Sequence, residues 1–201
     1  MQNKERQEYM KIIELKKVIT LVAIFVSLSL TARAESLYDL KTNWRDTANS
    51  KTGISVNAGS YTLVTMIYTK CAHACPMTIS KLQSIEKDFS KINFNSLKFT
   101  LASFDVANDR PESLRKYQAL RKLDSSKWKM LAAESEEDAR QLAVVLGISY
   151  KNIGEGDFSH SNVITLVDPK GEILASINSL NSSSEPLMKA LEAALARNKK
   201  K

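Results

Sequence analysis

The most constraining stretch of this chain is a β-branched and aromatic run, Tyr61–Tyr68 (YTLVTMIY), that passes through Thr69-Lys70 into Cys71-Ala72-His73-Ala74-Cys75-Pro76. The run reads as a buried strand. Pro76 suits the first turn of a helix, which the pattern carries to about Phe89. Strand, tight loop and helix must therefore follow one another directly, with both cysteines of the chain in the joint. Two cysteines in 201 residues cannot staple a disulfide scaffold, and two Cys with two His fall short of the paired spacings of a zinc finger. A 43% hydrophobic content without low-complexity tracts excludes disorder, and the length is that of one domain with a real core.

The rest of the chain supplies elements in alternation. Leu97–Phe104 reads as a second strand, Pro111–Leu120 as a helix and Trp128–Ala132 as a short strand. Ser135, with Asp138 three residues on, caps a helix that reaches Leu146 and stops at Gly147. Val163–Val167 and Glu172–Ile177 form a hairpin around Asp168-Pro169-Lys170-Gly171, and a last helix spans about Pro186–Arg197. The order β-α-β-α-β-α-β-β-α is that of a single α/β thioredoxin-like domain over 59–197, a central mixed sheet flanked by helices with a late β-hairpin. Residues 35–58 read as a polar arm or short hairpin leading into it, and 198–201 as a basic, solvated tail.

The N-terminus sets an expected compartment. Lys4, Arg6, Lys11, Lys16 and Lys17 precede the uncharged run Val18–Leu30, and Ala32-Arg33-Ala34 follows as a small-residue cleavage pattern. Residues 1–34 thus read as a secretory signal peptide, with Met10 as the more usual start. Thirteen uncharged residues make roughly 20 Å of helix, short of the ~30 Å hydrocarbon core, so an uncleaved membrane anchor is the second choice. The expected location is periplasmic or exported. Cleavage after Ala34 leaves 23 basic and 19 acidic residues, a net charge of +4 with no Lys/Arg patch interleaved with aromatics. Nucleic acid is not the partner.

The cysteine loop lies where unpaired backbone N–H groups and the helix dipole favour an anion, which lowers a thiol's pKa and makes it a better nucleophile and metal ligand. A disulfide between residues four apart closes a tiny loop and adds little stability, so Cys71 and Cys75 suit a reactive pair better than a staple. The second segment is Gly156–Asn162, just before the strand 163–167. In a thioredoxin-like sheet that strand neighbours the one leading into the cysteine loop, so His160 can face the two sulfurs. Two thiolates and an imidazole form a soft set suited to Cu(I) and able to hold Cu(II), with zinc as an adventitious occupant. The alternative for His160 is a local hydrogen-bond network in a loop. His73 points to solvent, tunes the cysteines or serves as a spare ligand. Asp105, at the end of the second strand, is a candidate for orienting a ligand from behind or for plain turn duty. Asp157 is a candidate partner for the free ring nitrogen of His160, and Asp109 an N-cap.

Tyr68-Thr69-x-Cys71-x-x-x-Cys75-Pro76, Asp105 with Asp109-x-Pro111, and His160-Ser161 before a strand ending Asp168-Pro169-x-Gly171 together resemble the Sco/SenC family. The match runs from about Trp44 to Ile177. The resemblance implies a thioredoxin-like fold, one copper ion held by Cys71, Cys75 and His160, and assistance in assembling the binuclear copper centre of cytochrome c oxidase. This chain departs from the family pattern in two strings. Asp157 stands three residues before His160 rather than next to it, and Ala102-Ser103-Phe104-Asp105-Val106 lacks the family's proline.

The expected function is a periplasmic copper metallochaperone, with an acceptor cuproprotein and a copper donor or thiol reductant as partners. The rival is an enzyme, a thiol-disulfide oxidoreductase using Cys71 and Cys75 as a redox-active disulfide. Such reductases mostly use CxxC and have no need of a histidine at 160. A peroxide-reducing thiol enzyme would want an arginine near its cysteine, and the loop has none.

Overall fold

The computed structural model describes residues 36–71 and 74–198, with the backbone alone for Ala74 and Cys75. In chain order the strands are β1 (Trp44–Asp46), β2 (Lys51–Thr52), β3 (Thr62–Ile67), β4 (Lys98–Ser103), β5 (Trp128–Ala133), β6 (Tyr150–Gly154), β7 (Asp157–His160), β8 (Ile164–Val167) and β9 (Ile173–Ile177). The helices are α1 (Ala74–Lys91), α2 (Pro111–Leu120), α3 (Glu136–Leu146) and α4 (Glu185–Asn198). The described residues form the α/β, thioredoxin-like arrangement of a mixed sheet flanked by helices.

Seven strands pair in the order β2-β1-β5-β4-β3-β8-β9. β3, β4 and β5 run parallel, and β8 lies antiparallel to β3. The central strands are apolar on both faces: all six residues of β3 and all four of β8 are buried, as expected for strands covered on both sides. Each helix turns one apolar stripe inward. Leu82, Ile85 and Phe89 of α1 are fully buried, and Leu187, Leu191 and Ala194 of α4 repeat the same helical spacing. The Ser135 side chain accepts from the Asp138 N–H, and Gly147 ends α3 in the left-handed conformation at φ 67°.

The antiparallel pairing of β8 with β3 is what positions the site. It sets the start of β8 beside the end of β3, and the Thr65 hydroxyl pins the junction by donating to the Val163 carbonyl at 2.6 Å. The chain entering β8 therefore arrives next to the cysteine loop.

Residues 36–58 belong to the domain rather than leading into it. β1 adds to the sheet by pairing antiparallel with β5, and Leu37, Trp44 and Ile54 are buried in the common core. The Asn43 N–H donates to the Asp138 carboxylate at 2.8 Å, and the Leu37 N–H to the Gly171 carbonyl at 2.9 Å. Gly171 (φ 91°) allows that approach, since a Cβ there would meet the Ser36 hydroxyl at 2.2 Å and the Tyr38 ring at 2.6 Å. The segment looks polar in sequence because its few apolar residues are spaced without helical or strand periodicity. Among the described residues no helix is long and apolar enough to cross a membrane. The leader expected over 1–34 lies outside the described residues, as does most of the tail.

Between α3 and β8 the structure has a further hairpin that the sequence pattern does not announce. β6 and β7 form a two-stranded sheet of their own. Glu155 (φ 54°) and Gly156 (φ 77°) make the two-residue turn, both with positive φ as a type I′ turn requires.

Candidate metal centre

The cysteine loop is held from below by a buried carboxylate. Asp109, 1% exposed, accepts from the Thr69 N–H at 2.8 Å, the Thr69 hydroxyl and the Ser103 hydroxyl at 2.6 Å. Burial pushes its pKa up against the pull of these hydrogen bonds, and the Asp105 charge adds to the rise. Asp109 is thus no N-cap. Arg110 holds that position on α2, where its N–H donates to the Ser113 hydroxyl at 2.9 Å. Asp109 has turned away from the helix because Thr69, forty positions earlier in the chain, offers it two donors at once.

Above this anchor the loop turns sharply, the Cys71 N–H donating to the Tyr68 carbonyl at 3.4 Å. Cys71 is 8% exposed, and Cys75 falls in the first turn of α1. The side chain of Cys75 and the whole of His73 lie outside the described residues. Among the described residues no group of three His, Cys, Asp or Glu could hold a metal ion.

His160 ends β7, half-buried, and its ring packs edge-on against Tyr68 at 5.8 Å and beside Phe104 at 5.3 Å. Its Nδ1 lies 3.1 Å from the Ser161 carbonyl oxygen. A carbonyl can only accept, so Nδ1 carries the proton and donates, and Nε2 keeps its lone pair for a ligand in the neutral ring. That tautomer is the one a metal-binding imidazole needs, with its other nitrogen fixed by a backbone oxygen.

Tyr68 joins the two sides. Its hydroxyl donates to the Asp157 carboxylate and is also hydrogen-bonded to Cys71, while its ring contacts His160. Burial, with both neighbours, raises the Tyr68 pKa far above its ordinary value and keeps the hydroxyl a donor. Cys71, His160 and Asp157, three sequence candidates, are therefore gathered on one tyrosine. Asp157 meets that tyrosine's hydroxyl, while the Nδ1 of His160 is taken by Ser161.

Asp105 is buried, and both its oxygens accept from the Asn108 side chain at 2.9 Å. Asn108 in turn accepts from Lys70 Nζ at 3.0 Å, so Asp105 reaches the cysteine loop at one remove. Lys70 is next in sequence to Cys71, so this chain of contacts ends beside the cysteine. Its Nζ also lies 3.4 Å from where a Cβ on Gly156 would sit, against the hairpin turn. In the sequence Tyr68 and Asp109 stand within the strings that carry the resemblance, Asp109 reading as an N-cap, and neither reads as a group that holds the site together; Asn108 carries no signal at all. A tyrosine closing a buried strand reads as core until the fold sets a carboxylate and a thiol beside its hydroxyl.

A family model described as SCO1/SenC matches residues 39–196. The SCO1 protein homolog of Bacillus subtilis (strain 168) is 26% identical over 127 residues, 62% of this chain and 65% of that protein. The match thus spans just under two thirds of that relative's length. Among solved structures, a SCO1/SenC family lipoprotein from Bacillus anthracis str. Ames superposes with a TM-score of 0.67 at 20% identity, over 81% of this chain and 98% of its own. Arabidopsis thaliana ScoI, solved with copper bound, gives 0.65 at 16% identity, over 78% and 96%. At such identities the structural likeness carries the fold, and the family match, which covers the whole described sheet from β1 to β9, carries the kinship. The chain belongs to the SCO1/SenC family.

Proposed function

We propose that this protein binds one copper ion through Cys71, Cys75 and His160 and delivers it to an acceptor cuproprotein, with cytochrome c oxidase as the target class, on the exported, periplasmic side of the membrane. Copper is here a cargo, taken up and released by ligand exchange. The observation that carries the reading is the placement of the His160 Nδ1 3.1 Å from the Ser161 carbonyl oxygen. The Nδ1–H is spent on the Ser161 carbonyl, which leaves Nε2 as a donor atom on the same tyrosine that touches Cys71. A thiolate beside an imidazole, with a second cysteine in the first turn of α1, suits copper in both oxidation states. Support also comes from relatives solved with copper bound, the Arabidopsis thaliana and Bradyrhizobium japonicum ScoI proteins.

The test is a Cu(I) and Cu(II) titration of reduced protein with single variants. Cys71→Ser and Cys75→Ser should each abolish tight binding of both ions. His160→Ala should weaken Cu(II) by about a hundredfold, the scale of one lost ligand, and Cu(I) far less, because two thiolates suffice for the cuprous ion. An unchanged Cu(II) affinity in His160→Ala would sink the three-ligand model. Weak copper binding indifferent to His160 would instead favour the thiol-disulfide reading, in which one cysteine attacks a target disulfide and the other resolves the mixed disulfide.

A further inference from the structure

The hairpin that carries His160 is built as a flap. β6 and β7 pair with each other in a sheet separate from the seven-stranded one. At the base, the Ser161 N–H donates to the Ser149 carbonyl at 2.8 Å and the Ser149 N–H to the Ser161 hydroxyl at 3.0 Å. Above the base the contacts with the body are mostly between rings. Phe158 meets Tyr68 and Phe104 at 5.2 Å each, and Tyr150 stacks on Phe104 at 4.8 Å and 16°. Ring packing of this kind is weakly directional and tolerates sliding better than a hydrogen bond does. The hairpin's outer side faces solvent, with Ile153 60% exposed. Against this background the described polar ties from the flap converge on the buried Tyr68 hydroxyl, which donates to the Asp157 carboxylate and is also hydrogen-bonded to the Phe158 backbone.

We propose that Tyr68 is a positioning residue whose hydroxyl, held by Asp157, latches the β6–β7 hairpin onto the cysteine loop and so holds His160 against Cys71. The proposal rests on the copper reading for its consequence and on the described contacts for its geometry. With the latch closed, His160 is preorganised on the tyrosine that is hydrogen-bonded to Cys71, and the site has the imidazole that Cu(II) uses. With the latch open, the cysteines remain together on their own loop, and only the third ligand is lost. The latch therefore separates the two oxidation states: it governs Cu(II) retention and leaves Cu(I) to the thiolates. Asp157 stands three residues before His160 in β7 and closes the turn-side pair with Gly154.

The test uses Tyr68→Phe, which keeps the ring and its packing and removes the hydroxyl alone. In metal-free protein, amides of 150–160 should exchange about tenfold faster or more, the scale of one lost hydrogen bond to a charged group, while those of β3 and β4 keep their protection. In loaded protein, the Cu(II) dissociation constant should rise by a similar factor, with Cu(I) within about threefold, and the thiolate-to-Cu(II) absorption should shift. Asp157→Ala, at an exposed position, should reproduce both effects in the same direction, and the double variant should be no worse than Tyr68→Phe alone. Asp157→Asn, whose amide oxygen still accepts, should restore most of the loss. Unchanged hairpin exchange, equal losses of Cu(I) and Cu(II), or additive effects in the double variant would each overturn the latch. If the wild-type protein does not hold copper through His160, the functional reading falls by itself, and the exchange measurement on metal-free protein still decides the latch.

Discussion

Asp109 shows how much of this site is carried by residues that touch no ligand. It accepts three hydrogen bonds from Thr69 and Ser103 at the floor of the cysteine loop. Asp109→Ala leaves a loop N–H and two hydroxyls without their acceptor, at a cost of about 1–3 kcal/mol for the stranded groups. The expected result is a Tm lower by several degrees, with Cu(I) and Cu(II) weakened together because the loop bearing Cys71 loosens. A calorimetric Tm unchanged from wild type would refute this role. The pattern is the opposite of that expected for Tyr68→Phe, which spares Cu(I), so the two variants divide loop anchoring from hairpin latching. Cys71 and His160 were legible in the sequence because their chemistry is intrinsic and their neighbours along the chain are informative. Asp109 was not. Preceding Arg110-Pro111, it looks like a helix cap, and its true partner Thr69 becomes available only when β3 and β4 pair in parallel and bring their C-terminal ends together.

At the scale of elements, the long periodic segments form within a residue or two of where their patterns put them, from β3 through α4. The short ones do not announce themselves. β1 and β2 are three and two residues long, and β6 is exposed along nearly its whole length, so neither apolar alternation nor length marks them. Yet β1 matters energetically. Trp44 is fully buried, its indole N–H donating to the Thr42 hydroxyl at 2.9 Å, and its strand pairs with β5. Trp44→Ala should cost about 3–5 kcal/mol, the usual toll of emptying a large aromatic site. Denaturant unfolding of the two proteins measures it. A loss under ~1 kcal/mol would mean that residues 36–58 are an appendage after all. The β6–β7 hairpin had one usable signal, a two-residue Glu155-Gly156 turn, but flanking strands rich in polar residues hide it.

For the molecule as a whole, acid stability follows the carboxylates that tie elements together. Asp88 of α1 accepts from Lys91 at 2.7 Å and, across to the start of α4, from the Ser184 hydroxyl at 2.6 Å. The Lys91 and Ser184 hydrogen bonds hold its pKa below the ordinary carboxylate range. A depressed folded-state pKa contributes stability that is fully present above the unfolded value near 4 and lost as pH falls through the lower folded value. Asp88→Asn should therefore lower Tm at neutral pH, by roughly 2–4 °C if the pair of bonds is worth about 1 kcal/mol. The difference from wild type should shrink toward zero below about pH 3. A gap that persists in acid would assign the effect to packing instead.

Sequence by itself determined the order of the main elements, the meeting of both cysteines at the mouth of a helix, and the one histidine ahead of β8. These follow from signals local to the chain: periodicity, caps, turn residues and proline. Only the tertiary structure decided that residues 36–58 complete the sheet, that Asp157 meets Tyr68, and that Asp109 meets Thr69. Those pairs lie 89 and 40 positions apart. A hydroxyl and a carboxylate so distant gain little from each other in an open chain, where water serves both. They become decisive once strand order removes the water and leaves each the other's partner.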